Sequence, residues 1–197
     1  MRKGEATRAR ILDQVTTLVA TRGLTAVSLA DVAEAVGLSK SGLFKHFVSK
    51  DDMHLAVIEA VMDHFTDWTW TPVLALPPGR ARLEDVFVRW MDWEELEWPA
   101  CGCPIMAFSV ELDDQPGPLH DYLKTRLGHW RRALVNEFRL MRDPPLSQAE
   151  AEAGYFQMKS FALGHFDARR MMGDENARHS AMQAFGDLLD RVSRRAA

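Results

Sequence analysis

The sequence predicts an all-α protein of about nine helices, and three observations lead to that expectation. Apolar residues recur at three- and four-residue spacing along most of the chain. No convincing strand pattern and no internal repeat appears, and the breaks between periodic runs fall at glycines, prolines or capping residues. With 197 residues, 47% of them apolar, the chain can bury a sizeable core as one domain or two.

In chain order, residues 1–6 are polar and expected to fray. Thr7 to Arg22 reads as the first helix, with Ile11, Leu12, Val15, Leu18 and Val19 on one face and Gly23 ending it. Leu29, Val32, Ala33 and Val36 then form one helical stripe, and Ser28 with Asp31 three residues on is a start that satisfies free N–H groups. Gly37 is a natural stop, because glycine enters the left-handed conformation without steric cost. Ser39 can cap a short helix ending near Phe47, and Ser49 with Asp52 opens a longer one to about Asp67. Helix, glycine turn, short helix is the helix-turn-helix arrangement, whose second helix reads the DNA major groove.

Charge agrees with that reading. Residues 1–50 carry eight basic and four acidic side chains, a net of +4, so the rest of the −4 chain carries −8. A basic head on an acidic body suits phosphate binding at one end only. We therefore divide the chain into a helix-turn-helix DNA-binding domain, 1–50, and a helical domain, 51–197, to which the resemblance given below assigns effector binding and dimerisation.

In the second part, Thr71 to Gly79 holds three prolines and reads as a loop. Arg82 to Trp98 is expected to be one helix, stopped by Pro99. Pro104 opens a short helix to Leu112, Leu119 to about Met141 a long one, and Asp143-Pro-Pro breaks it. Ser147 with Glu150 caps a helix to about Met172, and Asp174 to Arg195 forms the last.

The stretch GLSKSGLFKHFVSKDDM resembles the DNA-binding signature of the TetR/AcrR family of bacterial transcriptional regulators, at Gly37, Ser39, Leu43, Phe44, His46, Phe47 and Lys50. The resemblance extends back through Ile11 and Gly23, over about the first quarter of the chain. It implies a homodimeric repressor on a palindromic double-stranded DNA operator, released by a small apolar or aromatic effector.

The DNA-facing set is expected to be Ser28, Ser39, Lys40, Ser41, Gly42, Phe44, Lys45, His46 and Lys50. Lys40 and Lys45 can reach guanine O6/N7 or phosphates, Ser41 a base edge or phosphate, and Gly42 allows close approach. Lys50 and the amides that begin its helix form an anion site. Ser28 and Ser39 either bind phosphate or act purely as caps. His46 resembles a family phosphate contact. Two positions depart from the family: Phe44 stands where tyrosine is common, and Gly42 where threonine or another donor is often found. Weight then falls on Lys40, Lys45 and DNA shape.

All six tryptophans lie within residues 68–138, and Phe87, Trp90, Met91, Met106, Phe108 and Trp130 are candidates to line an effector pocket. Glu94, Glu95 and Glu97 beside them hint at a cationic aromatic ligand. Met158, Phe161, Ala162 and His165, with Ala181, Ala184, Phe185, Leu188 and Leu189, are expected to face a partner copy; the resemblance implies a four-helix bundle there. Cys101 and Cys103 leave open a thiol redox switch, provided one is an exposed thiolate of low pKa. No paired metal-ligand spacing, nucleophile motif or cofactor signature is visible, so we expect no enzyme, metal or cofactor. A constitutive DNA-binding protein without effector is a further alternative. Absence of a signal peptide or an 18-residue apolar run points to a cytoplasmic protein without membrane contact.

Overall fold

The computed structural model describes residues 3–194. Within them run nine α-helices: α1 (Lys3–Arg22), α2 (Leu29–Val36), α3 (Lys40–Leu43), α4 (Lys50–Thr69), α5 (Arg80–Asp92), α6 (Pro104–Leu112), α7 (Pro118–Arg139), α8 (Gln148–Arg170) and α9 (Ala177–Ser193). There is no strand among the described residues. No helix there is long and apolar enough to cross a membrane. The chain forms two compact units, Met1–His64 with Cys103–Arg126, and Phe65–Gly102 with Leu127–Ala197. Both α4 and α7 therefore contribute residues to each unit.

In the first unit, α1 packs on α2 and α6, and α2 on α3. Ile11, Val15, Val19, Val32, Leu43, Phe47, Met53, Val57 and Phe108 are fully or almost fully buried there. Of the periodic faces expected of the early helices, Ile11, Val15, Val19, Val32, Ala33 and Val36 are buried and Leu12, Leu18 and Leu29 are half-buried. In the second unit α8 and α9 lie against each other and both pack on α5. Leu83, Phe87, Met91, Leu134, Phe138, Met158, Phe185 and Leu188 form its core. Glu137, 3% exposed, accepts from the Gly79 amide at 2.7 Å and pairs with Arg82 at 3.1 Å. Arg82 also donates to the carbonyls of Leu76 and Leu74, so one buried ion pair fastens the chain that enters α5.

Four segments differ from the sequence expectation. The first helix begins at Lys3. Thr71–Ala75 winds into a 3₁₀ helix with a proline in its first turn. The expected helix across residues 82–98 is α-helical only to Asp92 and continues as a π-helical turn, Trp93–Glu97, that buries Trp93 and Glu94 in succession. The short helix after Gly37 spans only Lys40–Leu43, and a turn carries the chain on to Phe47.

The π-helical turn holds an unusual polar cluster. His165 of α8, its side chain 1% exposed, places Nδ1 3.2 Å from Glu94 Oε2 and Nε2 2.9 Å from Glu95 Oε1. Glu95 also pairs with Arg178 at 3.1 Å, whose other nitrogen reaches Asp92 at 2.8 Å, and Arg169 lies 3.7 Å from Glu95. Burial opposes charge on the imidazole, but hydrogen bonds to Glu94 and Glu95 outweigh it and raise the His165 pKa above 6.5. Burial also raises the Glu94 carboxyl, against the pull of His165.

Both shifts mean that the folded state holds protons more tightly than the unfolded one. The His165 contribution is fully present below 6.5, its ordinary value, and disappears as pH rises through the raised folded value; Glu94 acts in the same direction from 4.5 upward. Thermal unfolding followed upward from pH 6.5 should therefore show a falling midpoint, and His165→Gln should flatten that fall. Equal slopes in the two proteins would show that this cluster does not set the pH dependence.

Candidate nucleic-acid interface

The starts of α2, α3 and α4 are each capped by a residue of their own sequence. Ser28 caps α2: its hydroxyl accepts from the Asp31 amide at 3.2 Å and donates to the Asp31 carboxylate, which also accepts from the Ser28 amide at 2.8 Å. That reciprocal pairing holds the Asp31 carboxyl below the usual carboxylate range. Ser39 caps α3, accepting from the Gly42 amide at 3.1 Å, with the Ser41 hydroxyl 3.0 Å away. Ser49 accepts from the Asp52 amide at 3.0 Å, and Asp52 in turn accepts from the Val48 amide at 2.9 Å.

Gly37 makes the turn. Its φ of +67° is open to glycine at little cost, and its amide reaches back to the carbonyls of Ala33 and Glu34. The turn aims α3 so that Leu43 is buried while Lys40, Ser41, Phe44 and Lys45 face solvent. Phe44 is 49% exposed, a large apolar side chain on an otherwise polar face. Phe47 is buried, with the Arg8 guanidinium 4.9 Å from its ring centre. Gly42 lies close against its own cap: a Cβ there would sit 3.3 Å from Ser39 Oγ. Among the described residues neither Lys40 nor Lys45 has an ion pair, so both ammonium groups are available. Ser28 and Ser39 are engaged as caps, and Lys50 donates to the Thr25 carbonyl at 3.1 Å.

The link between α1 and α2 is held from far along the chain. Glu111 of α6 accepts from the Leu24 amide, the Thr25 amide and the Thr25 hydroxyl, each at 2.8 Å. Thr25 thereby joins Glu111 to Lys50. Beside it His54 is buried, and burial, with help from Lys50, lowers its pKa. Sequence reasoning missed Glu111, and no local pattern around it could have supplied the assignment.

The pocket candidates separate. Phe87, Trp90, Met91 and Trp130 belong to the second unit, whereas Met106 and Phe108 lie on α6 in the first. In the second unit Phe65 stands edge-on to Trp130, Trp90 and Trp93 at centroid distances of 4.9, 6.2 and 5.3 Å, and Trp70 and Trp90 meet Trp130 at 6.0 and 5.7 Å. Trp130 Nε1 is buried without a hydrogen-bond partner.

Residues 11–57 match the family model for bacterial regulatory proteins of the tetR family. Residues 79–185 match the model for the tetracyclin repressor-like C-terminal domain, more than half of the chain. The chain belongs to the TetR family. A TetR regulator from Chloroflexus aurantiacus shares its fold at a TM-score of 0.82 and 20% identity, over 99% of this chain and 98% of that one. AibR, solved with isovaleryl coenzyme A and operator DNA, does so at 0.76 and 18%, over 93% and 98%. The transcriptional repressor KstR2 of Mycolicibacterium smegmatis is 36% identical over 61 residues, 31% of this chain and 28% of the repressor. The helix-turn-helix described above is thus that of a TetR-family DNA-binding regulator.

In this TetR-family head, Glu111→Ala would leave two backbone amides and a hydroxyl without their acceptor. A hydrogen bond to a charged group contributes about 1.5–3 kcal/mol when buried, and partial exposure here argues for the low end. Urea unfolding should show a loss of roughly 2 kcal/mol, with Glu111→Gln intermediate. An unchanged midpoint would show that water replaces the carboxylate at no cost.

Proposed function

We propose that the protein is a homodimeric, ligand-responsive repressor that binds a palindromic operator in the cytoplasm through residues 1–50. The observation that supports this best is the solvent-facing row of Lys40, Ser41, Phe44 and Lys45 beyond the Gly37 turn, with both ammonium groups unneutralised. Lys40 and Lys45 would contact bases or phosphates, Ser41 and His46 phosphates, and Gly42 would let the backbone approach. Phe44 would pack against sugar or a thymine methyl, because it has no hydroxyl to offer. Ser28 and Ser39 would present helix-start amides, their hydroxyls being held in caps. Lys50, tethered to Thr25, would position the α4 start against phosphate.

One head makes few phosphate contacts, and two on a symmetric dimer would double them and fix half-site spacing. Of the face expected to meet the partner, Met158, Ala162, His165, Ala181, Phe185, Leu188 and Leu189 are buried within the protomer, whereas Phe161 and Ala184 are half-buried. The exposed apolar residues of α8 are instead Phe156, at 70%, and Leu163, at 39%. These two lie seven residues apart on one face, where a symmetry mate would cover them.

An apolar or aromatic effector would be received within the second unit by Phe87, Trp90, Met91 and Trp130, with the unpartnered Trp130 Nε1 as its hydrogen-bond donor. The redox alternative lacks support: burial pushes the Cys101 thiol up, away from the thiolate a switch requires, and Cys103 is buried.

Lys50→Ala should weaken DNA binding alike across sequences and lower the salt slope by about 0.9 for each phosphate that the variant leaves unneutralised. An unchanged slope in fluorescence-anisotropy titrations would remove Lys50 from the phosphate set. Phe156→Glu should convert the dimer to monomer in sedimentation equilibrium and abolish tight operator binding; an intact dimer would place the interface elsewhere.

A further inference from the structure

A groove of about 260 Å³ lies between α7 and α8, within the second unit. The α7 side presents Arg131, Arg132, Val135, Asn136 and Arg139, and the α8 side Gln148 and Glu152. Three guanidinium groups against one carboxylate give this lining a charge of +2, although residues 51–197 together carry −8. A cleft of one sign draws ions of the other.

The single carboxylate is already engaged. Glu152 pairs with Arg131 at 3.1 Å and accepts from the Gln148 side-chain amide at 2.9 Å. Arg132 and Arg139 are exposed, and neither side chain has an ion pair or hydrogen bond among the described residues. They stand seven positions apart, on one face of α7, with their Cα atoms about 10.5 Å apart along the axis at 1.5 Å per residue. Arg132 leans toward the start of α7: its Nη1 lies 3.5 Å from where a Cβ on Gly128, one turn earlier, would sit. Side chains on a helix lean in that common direction, so the two guanidinium groups keep their spacing and do not close on one small ion. Between them Asn136 is exposed, and Val135 is buried as an apolar floor.

We propose that this groove is a binding site for an elongated dianion, an α,ω-dicarboxylate whose two acid groups are separated by an apolar chain. One carboxylate meets Arg132 and the other Arg139, each offering the planar fork that matches a carboxylate. The chain lies over Val135, and the charge of −2 matches that of the lining. A monocarboxylate leaves one guanidinium unmatched. Succinate or inorganic phosphate is too short to reach both. The groove shares no residue with the head or with the aromatic cluster assigned to the effector, and it stands whether or not those assignments hold.

The test is an NMR titration of the arginine Nε–H signals of the full-length protein, without DNA, with suberate, octanoate, succinate and inorganic phosphate at one pH and ionic strength. Suberate should shift the Arg132 and Arg139 signals together and saturably. Each of the other three should bind about fivefold more weakly or worse, the factor that one exposed ion pair supplies. Arg132→Gln and Arg139→Gln should each weaken suberate binding about fivefold and remove its advantage over octanoate. Circular dichroism melts on both variants would confirm folding. Absence of a saturable suberate shift in the wild type would overturn the proposal. So would equal affinity for succinate or phosphate, which marks a general anion patch, or suberate binding unaffected in both folded variants. Conversion of either variant to monomer in sedimentation equilibrium would also overturn it, by giving the arginine to the partner copy. Because no DNA is present, none of these outcomes touches the DNA-binding reading.

Discussion

The carboxylate of Glu111 supplies what the head cannot supply for itself. Most of the head's helix starts and turns are satisfied from within a few residues, by Ser28 with Asp31, by Gly37, by Ser39 with the Gly42 amide, and by Ser49 with Asp52. The α1–α2 link has no such local acceptor, and buried or half-buried amides must find one. Glu111, 87 residues from Leu24, provides it three times over. The position of α2, and hence of α3 beyond Gly37, rests on that distant anchor. Thr25 passes the constraint on, since its carbonyl holds the Lys50 ammonium.

This division between local and distant support also sorts what is legible in the sequence. Caps and turns can be read because donor and acceptor sit three residues apart; the Ser28 and Ser147 capping boxes and the left-handed Gly37 all occur as the residues predict. Helical stripes can be read as buried, but periodicity states that a face is covered without stating what covers it. Met158, Ala162, Phe185 and Leu188 illustrate the gap: their stripe reads as a face for a partner copy, and the protomer itself buries them. The π-helical turn escapes because Trp93 and Glu94 side by side violate any single helical face. Glu111 and His165 escape because their partners are 87 and 71 residues away, where spacing carries no signal.

Polar burial in the second unit is concentrated in two places with different consequences. Around Glu137 every oxygen has a donor, from Gly79 or Arg82, and the result is a fastening for the chain entering α5. Around Glu94 one oxygen has a donor and one has none. Two buried carboxylates in one fold, one satisfied and one not, differ in what they ask of their surroundings. The first is complete as a structural tie. The second has an unmet need that only a ligand, a water or a proton can supply, and its raised pKa records that need.

A repressor of this design can respond to a ligand only if the ligand distinguishes two conformations of the body. Taking the operator-competent state from 99:1 to 1:99 requires about 5.5 kcal/mol of differential affinity, whatever the absolute affinity. Edge-on packing of Phe65, Trp90 and Trp130 leaves Trp130 Nε1 without an acceptor, so a ligand that offers one gains an interaction the unliganded cluster lacks. That gain counts only where the rings have parted to admit it, which makes it differential. Phe65 follows His64 within one uninterrupted helix, and α4 begins at Lys50. Displacement of Phe65 is therefore displacement of a residue of α4 itself.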